Sequence, residues 1–187
     1  MLKVKGTGII SQIAFVRERF GEAGFDKWRD ALSEPARVLV TSAVFASSWY
    51  EGEHAVLEPR DKICEVFFNS DPKGAREIGR FTADRSLNGI YRVFVRVGSP
   101  EWTVGKVAGI FGTFFTPGEL APVFSQKGKL VMRLSGFPAR SEAFEEMICG
   151  FAERALELCG CKEVKVERTA SLARWDPHAD FSGTWLI

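Results

Sequence analysis

Apolar and polar side chains alternate at period two from residue 119 onward, give way to a period of 3.6, then alternate again to the end of the chain. The first alternation covers 120–126, turns at Lys127-Gly128, and resumes with Leu130, Met132 and Leu134 on one face. That is the pattern of a hairpin with one buried side. Ser141 followed by Glu142 and Glu145 reads as an N-cap with carboxylates at the positive end of a helix dipole. The helix it opens carries Phe144, Met147, Ile148, Phe151, Ala155 and Leu158 on one stripe. Gly160 suits the left-handed residue that ends it. Val164 and Val166 then alternate with Glu163, Lys165 and Glu167, and Phe181, Gly183, Trp185 and Ile187 form the buried face of a last strand. The order ββαββ predicts an antiparallel sheet with helices on one face, an α+β fold.

The first two-thirds of the chain read as helical and are expected to pack on that sheet. Residues 9–20 are amphipathic and stop at Gly21, and Phe25, Trp28 and Leu32 continue as a short second helix. Ser33-Glu34-Pro35 opens a helix holding Val38, Leu39, Val40, Val44 and Phe45. Ser48-Trp49-Tyr50-Glu51-Gly52 breaks it, and 56–68 is helical again with Pro59 near its start. Asp71-Pro72 and Ser99-Pro100-Glu101 repeat the cap-then-proline signature before helices over 73–87 and 101–115. Between them, 90–97 alternates like a strand, but the surrounding pattern favours a helix. Thr116-Pro117-Gly118 marks the change to sheet. With no repeat and no long linker, residues 1–187 are expected to be a single α+β domain, mainly helical over 1–116 and ββαββ over 117–187.

Composition adds exclusions. The 187 residues are 45% hydrophobic and 26% charged, with a net charge of +1, the balance of an ordinary soluble globular chain. No clustered basic face points to nucleic acid; Arg76, Arg80, Arg85, Arg92 and Arg96 are interleaved with acids and apolars and read as a solvated helix face. No apolar run reaches the roughly 18 residues that a membrane span needs. Met1 to Gly8 does not read as a secretory leader. The cysteines Cys64, Cys149, Cys159 and Cys161 form no spaced framework. Reduced thiols in a cytoplasmic protein are therefore expected.

Catalytic chemistry is hard to find. His54, near Glu51 and Glu53, reads as a solvated side chain, since a zinc site wants three or four convergent ligands. His178 falls in a turn before the last strand. Cys159-Gly160-Cys161 lacks the spacing of a redox motif, and all four cysteines read as structural. Gly6-Thr7-Gly8 is at most a fragment of a dinucleotide fingerprint and reads better as the entry to the first helix. No metal, cofactor or catalytic residue is expected.

What stands out is the aromatic load of 16 Phe, 5 Trp and 2 Tyr. Core packing explains any single ring. Taken together, Trp49, Tyr50, Phe81, Tyr91, Phe94, Trp102, Phe111, Phe114 and Phe115 are the candidate lining of an apolar ligand pocket.

Several short motifs occur in order: Lys5-Gly6-Thr7-Gly8, Phe15-Val16-Arg17-Glu18-Arg19-Phe20-Gly21, Ser48-Trp49-Tyr50, Glu77-Ile78-Gly79-Arg80, Tyr91-Arg92-Val93-Phe94 with Ser99-Pro100-Glu101, and a closing strand ending in Trp185. In these the chain resembles a paralogous family of myxobacterial proteins of about its length. That family is itself distantly similar to 4-vinyl reductase domains, haem nitric-oxide-binding domains and small TRAPP subunits. The resemblance implies an α+β fold, often a homodimer, and a sensor, carrier or interaction role. It does not carry the relatives' cofactors over. A haem sensor of that kind has a proximal histidine and a Tyr-x-Ser-x-Arg clamp, whereas Tyr91-Arg92-Val93-Phe94-Val95 lacks the serine and the arginine. The zinc-bearing vinyl reductase domains have clustered cysteines near the C-terminal hairpins, and 169–185 contains none.

The function expected from these readings is a non-catalytic small-molecule-binding or sensory domain, cytoplasmic and homodimeric, whose partner is an apolar small molecule. The alternatives are a protein-interaction or oligomerisation scaffold and an accessory protein in tetrapyrrole or aromatic metabolism.

Overall fold

In the computed structural model, which describes residues 1–87 and 99–186, the chain opens with a short strand, β1 (Lys3–Lys5). It pairs antiparallel with β2 (Trp49–Glu51) on one side and β3 (Phe115–Thr116) on the other. Val4 points inward and is fully buried. This small sheet departs from the helical reading of the N-terminal part. Its strands are only two or three residues long, too short for an alternation to register.

The helices that follow keep the expected order with shifted ends. α1 (Gly6–Asp30) merges the two predicted helices across a kink at Gly21, whose φ of 71° and ψ of −175° interrupt the helix. α2 (Glu34–Thr41) ends before Val44 and Phe45, and Phe45 is exposed. A π-helical turn (Glu53–Leu57) leads into α3 (Glu58–Phe67), with Pro59 in its first turn. The Asp71 side chain accepts from the Lys73 amide at 2.9 Å and starts the turn before α4 (Ala75–Leu87). α5 (Pro100–Gly109) is shorter than the expected 101–115. Phe115 has to be extended to pair with Val4, so the chain leaves the helix early. The expected helix over 90–97 lies outside the described residues, as does Ile187 at the end of the last strand.

The C-terminal pattern is realised as read. β4 (Glu119–Gln126), β5 (Lys129–Ser135), β6 (Lys162–Ala170) and β7 (Ala179–Leu186) form an antiparallel sheet in the order β4-β5-β7-β6. α6 (Glu142–Leu158) lies between the two strand pairs in sequence. The Ser141 hydroxyl caps α6, accepting from the Phe144 amide at 3.1 Å, and Gly160 beyond its end has φ 87°. Leu130, Met132 and Leu134 of β5, and Ala179, Phe181, Gly183 and Trp185 of β7, face the core. The chain is therefore α+β with ββαββ order in its last third.

α4 and α6 pack backbone to backbone. A Cβ on Gly79 would strike the Met147 carbonyl oxygen, and one on Gly150 would strike the Arg76 carbonyl oxygen. Ion pairs lace the same contact: Arg76 Nε to Glu146 at 2.6 Å, Arg80 to Glu157 at 2.7 Å and Arg154 to Asp84 at 2.8 Å. Arg76 and Arg80 are thus helix-to-helix clasps rather than a solvated face. Deeper in, Glu145 and Glu146 are 2% and 3% exposed. Arg168 of β6 reaches them at 2.8 and 3.0 Å. Glu145 also accepts from the Ser171 hydroxyl at 2.6 Å and the Ala173 amide at 3.2 Å. No helix among the described residues is long and apolar enough to cross a membrane.

Candidate functional site

The helical layer and the sheet do not close completely on each other. Between them lies a cavity of about 200 Å³. α6 supplies Met147, Ile148 and Phe151 to its wall, β5 supplies Leu130 and Met132, and β7 supplies Phe181 and the bare backbone of Gly183. These side chains reach it because alternate residues of a strand share one face and every third or fourth residue of a helix does the same. Phe111, Phe114 and Phe115 close one end, where the chain passes from α5 to β3. Phe111 and Phe115 stack with centroids 5.0 Å apart.

Among the described residues, polar side chains enter from the helical side. Thr7, Ser11 and Gln12 come from α1, Thr82 and Ser86 from α4, and Arg60 from α3. The hydroxyls of Ser11 and Thr82 bond to each other at 3.0 Å. Gln12 and Arg60 are buried at 1% and 4% exposure. Both polar atoms of the Gln12 amide, with Nε and Nη1 of Arg60, have no hydrogen-bond partner among the described residues. Burial pushes the Arg60 pKa down to about 10, so it remains a cation at neutral pH.

Of the nine aromatic candidates, the structure brings Phe111, Phe114 and Phe115 to the cavity. Trp49 is 41% exposed on β2, with the Lys5 ammonium 4.3 Å from its ring centroid. Tyr50 accepts a hydrogen bond from the Phe45 amide at 2.9 Å and packs on the core. Phe81 meets Phe15 edge-on at 5.5 Å. Trp102 is 44% exposed. None of these four lines the cavity, and Tyr91 and Phe94 lie outside the described residues. Trp49→Ala is therefore expected to cost no more than about 1 kcal/mol, the worth of an exposed cation–π contact. Urea unfolding checks this; a loss of about 3–5 kcal/mol would place the ring in the core instead.

The titratable side chains outside the cavity have local roles. His54 Nδ1 meets Glu58 at 2.9 Å, and that hydrogen bond holds the imidazole above its ordinary pKa. His178 Nε2 lies 3.4 Å from Asp180. Burial pushes the thiols of Cys64 and Cys161 up to about 11 and that of Cys149 to about 12, so they stay protonated and unreactive at neutral pH. Among the described residues no group of three or more histidine, cysteine or acidic side chains is placed to hold a metal ion.

No protein-family model and no curated protein sequence matches the chain. Solved structures do. The H-NOX protein from S. oneidensis in its Fe(II)NO ligation state superposes with a TM-score of 0.74 at 9% identity, covering 98% of this chain and 99% of that one. A point mutant of the H-NOX protein from K. algicida, with Fe(II) unliganded, gives 0.72 at 12% identity over 98% and 97%. An oxygen-binding H-NOX domain related to soluble guanylate cyclases gives 0.64 at 14% identity over 97% and 94%. The fold is thus H-NOX-like along essentially the whole chain, which agrees with the haem nitric-oxide-binding branch of the resemblance drawn from the sequence.

Proposed function

We propose that this chain is a non-catalytic small-molecule-binding domain that senses its ligand, with the cavity as the binding site. The observation that carries the reading is a partly open, largely apolar space of about 200 Å³ with two buried polar side chains in its lining. Ligand sites are built this way, mostly apolar with few polar groups for orientation. A domain of H-NOX-like fold that keeps an internal space fits a sensor better than an enzyme, because no nucleophile and base are paired at the wall among the described residues. Phe111, Phe114 and Phe115 are the aromatic contacts of this reading. It extends to a single-domain, cytoplasmic homodimer that belongs with the myxobacterial paralogues.

The neighbours' descriptions include iron, and the described residues do not fit it. Haem iron is held by histidine, cysteine or tyrosine, or by methionine together with histidine. Among the described residues neither histidine lines the cavity, nor does any of the four cysteines or Tyr50; of the described sulfur side chains only Met132 and Met147 do, and Tyr91 lies outside the described residues. No step of the reading passes through haem.

Benzene is the probe that tests the cavity, since an apolar cavity of about 150 Å³ is enough to take it. Ligand-observed NMR should show saturable benzene binding to the purified chain. Ala108→Leu, which fills the wall where Ala108 is buried against the space, should abolish that binding and leave the fold intact. A wild-type chain that takes up no benzene would favour the scaffold alternative.

A further inference from the structure

The unpartnered polar atoms say what kind of molecule the cavity takes. A guanidinium cannot shed its charge at physiological pH, and a buried charge without a partner is among the costliest arrangements in a protein. The neighbouring Asp61 offsets part of that cost through its charge but makes no contact with the group: its Oδ1 accepts from the Ser141 hydroxyl at 3.2 Å, and Nε and Nη1 of Arg60 have no partner among the described residues. The Phe144 ring covers the group, with its centroid 5.2 Å away, which leaves the in-plane N–H groups for a ligand. Gln12, on the facing helix, adds an unused amide donor to the same cavity.

An acceptor that answers the donors of Arg60 and Gln12 has to be anionic and small. A carboxylate carries one negative charge against one guanidinium, and its two oxygens match planar N–H donors. A phosphate monoester carries about −1.5 to −2 at neutral pH and would leave excess charge in an apolar wall. The body beyond the head meets mainly hydrocarbon, because Phe111, Phe115, Met132 and Met147 offer it nothing else and the Ser11 and Thr82 hydroxyls bond to each other. Scaling from the ~150 Å³ cavity that holds the six carbons of benzene, the space admits on the order of eight heavy atoms.

We propose that the cavity binds a small apolar monocarboxylate, with its head on Arg60 and Gln12 and its body against the phenylalanine and methionine wall. The inference rests on the reading of the cavity as a ligand site. Hexanoate and its neutral counterpart hexanol are the probes, titrated by NMR into the full chain, Arg60→Met and Gln12→Leu. Wild type should bind hexanoate at least about tenfold more tightly than hexanol, the worth of one charge-assisted hydrogen bond. Arg60→Met should erase that preference by weakening hexanoate alone, and Gln12→Leu should reduce it in the same direction. Equal binding of the two probes by wild type, or hexanoate binding untouched in Arg60→Met, overturns the inference and leaves the cavity reading standing. Failure of hexanoate, hexanol and benzene alike overturns both. Circular dichroism melts accompany each variant; if Arg60→Met does not fold, the wild-type ratio and Gln12→Leu decide.

Discussion

Arg168→Leu is expected to lower the free energy of unfolding by about 3–5 kcal/mol, the loss typical when one partner of a buried ion pair is removed. Arg168 is the cation between two carboxylates that have almost no contact with water: Glu145 at 2.8 Å and Glu146 at 3.0 Å, with side-chain exposures of 2% and 4%. Glu146 keeps Arg76 at 2.6 Å after the substitution. Glu145 keeps only the Ser171 hydroxyl and the Ala173 amide, which donate hydrogen bonds but no full charge. The cost therefore falls mainly on Glu145. Equilibrium urea unfolding measures it, and a double variant supplies the control. Adding Glu145→Leu to Arg168→Leu should recover much of the loss, since a buried pair replaced by apolar side chains is often neutral or better. A single variant within about 0.5 kcal/mol of wild type, the range of ordinary surface substitutions, would mean that the cluster holds nothing together.

Gly150→Ala is expected to destabilise by about 3 kcal/mol, the upper part of the range for overpacking. The added methyl has no side chain to push aside, because what it meets is the backbone of Arg76. Relief requires α4 and α6 to separate, which also stretches the ion pairs that run between them. Gly79→Ala should behave alike through the Met147 carbonyl. Both helices wall the cavity, through Ile78 and Thr82 on one and Met147 and Phe151 on the other. Each variant should therefore also change benzene affinity in whatever fraction remains folded. Thermal melts with NMR titration check both effects together.

The sheet and its covering helix were legible because their signals are long. Seven to nine residues of alternation and a capped stripe of 17 residues leave little ambiguity. The small sheet was not, because β1, β2 and β3 are joined from three distant points of the chain. Arg76 and Arg80 looked solvated for a related reason: their acids sit 70 or more residues away. The cavity was legible in a different way. Aromatic content spread the candidates over the whole helical part: Phe111, Phe114 and Phe115 border the cavity, whereas Trp49 and Trp102 are exposed. A sharper signal was present and unread. Gln12 stands in the buried stripe of Ile9, Phe15 and Val16, and Arg60 stands in that of Ile63 and Cys64. Polar residues at helix-core positions are seldom tolerated without a partner. Two of them, on different helices, border the same cavity.

The bare contact between Gly79 and Gly150 also governs how the interior can breathe. With backbone against backbone and ion pairs along it, the seam between α4 and α6 has no side chains to compress and no slack to take up. A guest larger than the resting space finds its room by turning wall side chains such as Met147, or by displacing α1 or α5, which the glycine seam does not lock. Swelling of the interior is thereby given a direction, away from the sheet's own helix and toward the N-terminal layer.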